Sequence, residues 1–186
     1  FIRQQDTIEK VQIQLSEYDE LFKTSALKRN WDWRFLASIA YQESRYNPNA
    51  RGFGGAYGMM QFMPNTGPSF DVYPDSPPEI QIEGGMRYID QLYNSWKNID
   101  SREQRLKFTL ASYNAGKGHI EDAVRLAEKL GYNPTIWDDN VELMIHLLSD
   151  PLYYRKPPVK YGAYRGPAKT YVKSIYSRYM IWRENE

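Results

Sequence analysis

The segment from residue 32 to residue 61 constrains the fold and function of this chain more than any other. Asp32 suits the cap position before a helix, and the apolar residues that follow recur at helical spacing, at Leu36, Ile39 and Ala40. The next position on this face is Glu43, so a carboxyl group stands where the pattern requires a core residue. The glycine-rich run 52–58 follows, and glycine allows a backbone to approach a ligand closely. An acid at the buried end of a helix, facing such a loop, indicates a catalytic cleft.

Each part of this segment also has a plainer structural interpretation. A lone glutamate on an apolar face often marks a misjudged helix boundary or an acid paired with a cation. A glycine-rich loop is more often a turn than a ligand cradle. Taken singly, these features favour the structural interpretation, whereas their combination favours a cleft.

Apolar residues recur at helical spacing through most of the remaining chain, and no segment alternates convincingly as a strand. The spacing predicts an all-α fold with helices over residues 1–29, 79–96, 102–114, 118–130, 141–148 and 170–183. Residues 64–78 should form a short helical turn and a loop, and residues 151–169 a long loop. The pair Gly84-Gly85 inside a helix predicts close packing against another helix.

Composition limits the classes of function. The 186 residues, 41% of them hydrophobic, suit one domain with one core. The 16 tyrosines and 5 tryptophans suit a carbohydrate cleft, because aromatic rings offer flat apolar platforms. A net charge of +1 gives no reason to propose a nucleic-acid partner. The absence of cysteine excludes disulfides, and the two histidines do not suggest zinc, so we expect no metal and no cofactor.

The chain carries no apolar run near the length of about 20 residues that spans a bilayer. It starts at Phe1 rather than Met, so we expect it to be the C-terminal part of a longer protein, with any anchor upstream. We expect residues 1–186 to form a single, monomeric domain, in which a flanking amphipathic helix over 1–29 packs beside a core over 30–186.

Four ordered motifs resemble the lytic transglycosylase family of lysozyme-like domains (the SLT type): Glu43-Ser44, Gly58-Met59-Met60-Gln61 with Met63-Pro64, Ala111-Ser112-Tyr113-Asn114, and Tyr171-Val172. Residues 18–22 are similar to the stretch before the catalytic helix in membrane-bound members of the F type. The resemblance implies a compact lysozyme-like helical domain that acts on peptidoglycan glycan strands. It also implies a place in the Gram-negative cell envelope, in the periplasm or at the outer membrane.

The resemblance implies cleavage of the β-1,4 bond between N-acetylmuramic acid and N-acetylglucosamine, with 1,6-anhydro ends as products. One acid suffices, because the 6-hydroxyl of the substrate attacks its own anomeric carbon. Glu43 would act first as acid and then as base. Its place on an apolar face should raise its pKa and keep it protonated at neutral pH.

The resemblance further implies a set of substrate-contacting residues: Ser44, Met60, Gln61, Met63, Tyr113, Asn114 and Tyr171. Ser44 and Gln61 would hydrogen-bond the substrate near the scissile bond, and the two methionines would line sugar subsites. Tyr113 and Asn114 would form the wall opposite the acid, and Tyr171 would orient its carboxyl group. At helical spacing, packing in the core is an alternative role for the methionines and for Tyr171.

The chain departs from the family pattern at three places. Met59 replaces a leucine, and Ser112 separates Ala111 from the Tyr-Asn pair. Gly52 stands where many family members have a serine, so we expect Arg51 or the backbone to supply any contact from that loop.

Two other classes of function compete with the transglycosylase. A goose-type lysozyme shares the helical fold and the single glutamate but uses water as nucleophile, and a glycan-binding module would have lost catalysis. Chitin is an alternative substrate.

A run of eight basic residues without any acid extends from residue 151 to residue 183: Arg155, Lys156, Lys160, Arg165, Lys169, Lys173, Arg178 and Arg183. This basic block is either a solvated face or a surface for the carboxylates of peptidoglycan stem peptides.

Overall fold

A computed structural model describes residues 14–185, which form eight α-helices and no strand. The helices are α1 (Asp19–Leu27), α2 (Trp33–Ser44), α3 (Pro78–Ser95), α4 (Arg102–Ala115), α5 (Lys117–Leu130), α6 (Glu142–Leu147), α7 (Pro151–Tyr154) and α8 (Ala168–Glu184). Short helical turns of other types lie at Phe53–Gly55, Gly67–Phe70 and Trp137–Val141. The prediction of an all-α fold is confirmed.

Local signals set several of the helix ends. The carboxylate of Asp32 accepts a hydrogen bond from the backbone N–H of Arg34, so the predicted N-cap of α2 is confirmed. Ser101 caps α4 in the same way, through the N–H of Gln104. Gly131 ends α5 in the left-handed conformation (φ 79°), as its predicted C-cap position requires.

Five helices lie within two residues of their predicted bounds: 79–96, 102–114, 118–130, 141–148 and 170–183. Helix α6, predicted over 141–148, directly follows a turn with non-helical φ and ψ angles at Asp138 and Asp139. The predicted loop 151–169 contains the four-residue helix α7, which Asp150 caps through the N–H of Leu152.

The predicted helix over 1–29 is too long in the part that the structure describes, and residues 1–13 lie outside that part. Helix α1 begins only at Asp19, whose carboxylate accepts hydrogen bonds from the N–H groups of Leu15 (2.8 Å) and Ser16 (2.9 Å). These bonds hold the preceding residues in a turn, because an acidic side chain offers their N–H groups an alternative to helical partners.

Helices α2, α4 and α8 form the centre of the core. Helix α2 packs against α1 and α8, and α4 packs against α3, α5 and α8. The predicted apolar face of α2 is fully buried at Leu36, Ile39 and Ala40. This packing places the C-terminal end of α2, where Glu43 lies, beside the first half of α8.

Gly84 and Gly85 permit a close approach, although not between two helices as predicted. A Cβ atom at Gly84 would overlap the side chain of Val72, and one at Gly85 would lie 2.9 Å from Cγ of Met60. The two glycines therefore allow non-helical segments to pack directly against α3. One of these segments carries the motif 58–61 to the site.

Candidate active site

Glu43 lies in the last turn of α2, next to the left-handed residue Arg45 that ends the helix (φ 55°). The pKa of Glu43 is raised from 4.5 to about 7, because burial raises it by more than the hydrogen bond from the hydroxyl of Tyr171 to Oε1 lowers it. No charged side chain is among the causes of this shift within the described residues. Glu43 is therefore a carboxyl group that holds its proton near neutral pH without help from a second acid.

Two tyrosines flank the acid. Tyr171 reaches Glu43 from α8, and Tyr113 lies at the end of α4. Burial, followed by the charge of Glu43, raises the pKa of both phenols well above the ordinary tyrosine value. Both hydroxyls are therefore neutral and act as hydrogen-bond donors. The predicted proximity of Tyr171 to the carboxyl group is observed.

The backbone of residues 59 and 60 forms the floor between these groups, and three helices hold it. The hydroxyl of Ser44 donates to the carbonyl oxygen of Met59 (2.7 Å), and the hydroxyl of Tyr113 donates to that of Met60 (2.6 Å). The N–H of Met59 donates to Oε1 of Gln81 on α3 (2.6 Å). These bonds fix the motif against α2, α3 and α4.

Two residues that were predicted to contact the substrate, Met60 and Ser44, make contacts within the protein. Met60 is fully buried against Gly85, so the prediction that its side chain lines a sugar subsite is wrong. Helical spacing cannot predict the direction of the Met60 side chain, because residues 58–61 form a turn and not a helix. The hydroxyl of Ser44, besides its bond to Met59, accepts a hydrogen bond from the N–H of Asn47 (3.1 Å). Met63, in contrast, is 45% exposed.

Gln61 and Gly52 fit together. Gln61 has a positive φ angle (48°), and its Nε2 donates to the carbonyl oxygen of Gly58 (2.9 Å). Its Oε1 lies so close to Gly52 that a Cβ atom there would overlap it. The glycine at position 52 is therefore the residue that leaves room for this orientation of Gln61, and a serine would displace the amide.

Asn114 continues the wall beyond Tyr113. Its Oδ1 accepts a hydrogen bond from the hydroxyl of Tyr164 (2.9 Å), and this hydroxyl in turn accepts from the N–H of Ala168 at the start of α8 (3.1 Å). Within residues 14–185 the Asn114 amide nitrogen has no hydrogen-bond partner, so it is a free donor.

Two residues of the site were missed in the sequence. Tyr88 of α3 packs on Tyr113, with ring centroids 5.2 Å apart, and Tyr164 bonds Asn114. Tyr88 follows Gly85 by three residues, which places it on the same helix face and could have revealed it. Tyr164 lies in a loop and carried no such signal.

No group of three or more His, Asp or Glu side chains in the described part of the chain is arranged to hold a metal ion. None of the helices described is long and apolar enough to cross a membrane.

The family model of the transglycosylase SLT domain matches residues 20–136, which include Glu43, the floor and the Tyr113-Asn114 pair. The chain belongs to this family. A membrane-bound lytic murein transglycosylase F of Aeromonas salmonicida is 36% identical over 189 residues, an alignment that covers 100% of this chain and 37% of that protein. One of Maricaulis maris is 38% identical over 159 residues, covering 86% of this chain and 34% of that protein. The SLT-type chain thus spans little more than a third of these relatives.

Solved structures show the same SLT-type fold. An inactive mutant of the lytic transglycosylase Slt from Pseudomonas aeruginosa has a TM-score of 0.58 at 19% identity, over 90% of this chain and 24% of that one. The 70 kDa soluble lytic transglycosylase of Escherichia coli has a TM-score of 0.54 at 23% identity, with the same coverage. The predicted lysozyme-like helical domain is confirmed.

Proposed function

We propose that this chain is the catalytic domain of a peptidoglycan lytic transglycosylase. It cleaves the β-1,4 bond between N-acetylmuramic acid and N-acetylglucosamine and leaves 1,6-anhydromuramoyl ends. The observation that carries the proposal is the state of Glu43, a buried carboxyl group with a pKa of about 7 and a neutral phenol as its partner. A glycosidase that activates water ordinarily needs a second carboxylate beside the first.

Glu43 performs both proton transfers. Its proton passes to the glycosidic oxygen as the bond to the anomeric carbon breaks, and the carboxylate so formed takes the proton of the substrate's 6-hydroxyl as that oxygen bonds to the same carbon. Glu43 is protonated again at the end of the reaction, and no water is consumed. A pKa near the working pH suits a group that must act both as acid and as base. The intramolecular attacker replaces a held water through its high effective concentration.

The surrounding residues orient the acid and the sugar. Tyr171 holds Oε1 of Glu43, which leaves the other carboxyl oxygen for the glycosidic oxygen. The free amide nitrogen of Asn114 is the donor for an acetamido carbonyl, and Gln61 and Met63 contact the neighbouring sugar. Ser44 acts through the floor that it holds.

The names of the relatives support a wider proposal. The chain is part of a longer protein of the Gram-negative cell envelope. The relatives named as membrane-bound are almost three times its length, since the chain covers 37% of them. Apart from those names, we also propose that residues 1–186 act as a single, monomeric domain.

Digestion of purified peptidoglycan tests the function. We expect products one water lighter than hydrolysis products and resistant to borohydride reduction, with none from Glu43→Gln. Mass spectrometry separates the alternatives. Reducing ends would identify a lysozyme-type hydrolase, and binding without any product from the wild-type chain would identify a glycan-binding module.

A further inference from the structure

Tyr161 is an exposed aromatic residue whose ring packs against the backbone of a helix. Its side chain is 62% exposed, and its ring rests on Gly118 near the start of α5. A Cβ atom at Gly118 would lie 2.5 to 2.7 Å from Cε1, Cδ1 and Cζ of the ring. Only a glycine therefore lets the ring pack directly on the helix backbone. One side of the ring is covered by main chain, and much of the rest faces solvent.

A buried carboxylate holds the backbone of this tyrosine. Asp122 is fully buried, and its oxygens accept hydrogen bonds from the N–H groups of Lys160 (2.7 Å), Tyr161 (2.7 Å) and Gly162 (3.3 Å). Arg125 also donates to this carboxylate. Charge-assisted bonds of this kind are roughly twice as strong as neutral ones. Tyr161 is therefore held in place before any ligand arrives.

The ring continues the wall of the site. Tyr161 lies beside His119, with centroids 6.4 Å apart, and His119 lies beside Tyr164 at 5.5 Å. Tyr164 bonds Asn114. A row of flat side chains thus leads from Asn114, the neighbour of Tyr113 in the chain, to the exposed ring.

We propose that Tyr161 is the platform of a further saccharide subsite, on which one pyranose ring of the glycan strand stacks. The inference rests on the proposed function, which supplies the strand as occupant. A β-1,4-linked sugar with equatorial substituents presents C–H groups on its flat faces, and these match an aromatic face, while its hydroxyls stay in water. A ring that is already fixed loses little conformational freedom on binding.

Binding to naked glycan strands, stripped of stem peptides, tests the subsite in a Glu43→Gln background that prevents cleavage. We expect Tyr161→Ala to weaken binding of long strands about tenfold, equivalent to about 1.4 kcal/mol. Tyr161→Trp should bind within about twofold of the parent, because indole also stacks. Tyr132→Ala is the matched control, since Tyr132 is exposed just beyond the other end of α5. Strands too short to reach from Glu43 to Tyr161 should bind equally to all variants.

Equal binding of long strands by the Ala variant and the parent would overturn the subsite. Loss with Tyr161→Trp as well, or loss that extends to the shortest strands, would also overturn it, because the ring would then only support the loop. Cleavage by the chain with Glu43 intact is measured separately. A chain that binds strands through Tyr161 but makes no anhydro products would refute the proposed function and leave the subsite standing.

Discussion

At the scale of the residue, the contact between Tyr171 and Glu43 modifies the pKa of the proposed catalytic acid. Burial raises the pKa of Glu43, and the hydrogen bond, which favours the charged carboxylate, lowers it in part, so that the pKa lies at about 7. In the proposed reaction Glu43 starts as the protonated acid, so kcat/KM should fall as pH rises through about 7. Burial and one phenol therefore determine the alkaline limit of activity.

Tyr171→Phe removes the bond and keeps the ring. The pKa of Glu43 should rise, so the alkaline limb of the kcat/KM profile should move to higher pH while the maximal rate falls through poorer orientation of the acid. Profiles of the wild-type and variant chains on the same glycan strands measure this. A limb that moves to lower pH would contradict the assigned hydrogen bond.

At the scale of the element, the loop between α7 and α8 depends on one side chain of α5. Asp122 is fully buried and binds three successive N–H groups of this loop, which also carries Tyr164 to Asn114. These hydrogen bonds therefore fix the conformation of a loop that has no regular secondary structure.

The substitution Asp122→Asn keeps the shape of the side chain and removes its negative charge. Because a hydrogen bond to a charged group contributes about 1.5–3 kcal/mol, amide exchange at residues 160–162 should accelerate roughly 10- to 100-fold. Hydrogen–deuterium exchange measures this, with the amides of α2 as internal reference. Glu128→Gln on the exposed side of the same helix should change nothing. Unchanged protection of the loop in the Asn variant would show that other contacts hold it.

The elements near the acid were more predictable than the contacts between them. The face of α2 and the caps at Asp32 and Gly131 follow from spacing and local chemistry, and Glu43 is visible because it interrupts an apolar stripe. Asp122 and the loop are about 40 residues apart in sequence, and Tyr164 and Asn114 are 50 apart. No local pattern encodes such pairs, which become visible only once the helices are packed.

At the scale of the whole molecule, charge is distributed unevenly along the chain. Part of the basic block has partners within the fold. Lys169 pairs with Glu142 (3.0 Å), and Arg178 donates to the carbonyl oxygen of Ser38 and to Gln42. Three exposed residues of the basic block lie in the loop between α7 and α8, and they are candidates for binding the carboxylates of stem peptides: Lys156, Lys160 and Arg165.

Replacing Lys156, Lys160 and Arg165 by glutamine should weaken binding to cross-linked sacculi several-fold, because long-range attraction to their carboxylates is lost. Binding to naked glycan strands should stay the same and serves as the control. Added salt should reduce the difference between the wild-type and substituted chains. Equal loss on both substrates would refute a role in contacting stem peptides.

The burial of Glu43 also affects the stability of the entire fold. Its pKa is about 4.5 when exposed and about 7 in the folded chain, so below pH 4.5 the group is neutral in both states and does not affect folding. As pH rises through this interval, the folded chain binds more protons than the unfolded one, and the free energy of unfolding decreases. Above pH 7 the decrease reaches on the order of 3 kcal/mol, a sizeable part of the 5–15 kcal/mol that holds a typical domain together. The same desolvation that raises the pKa of the acid therefore removes part of the stability of the fold on the alkaline side.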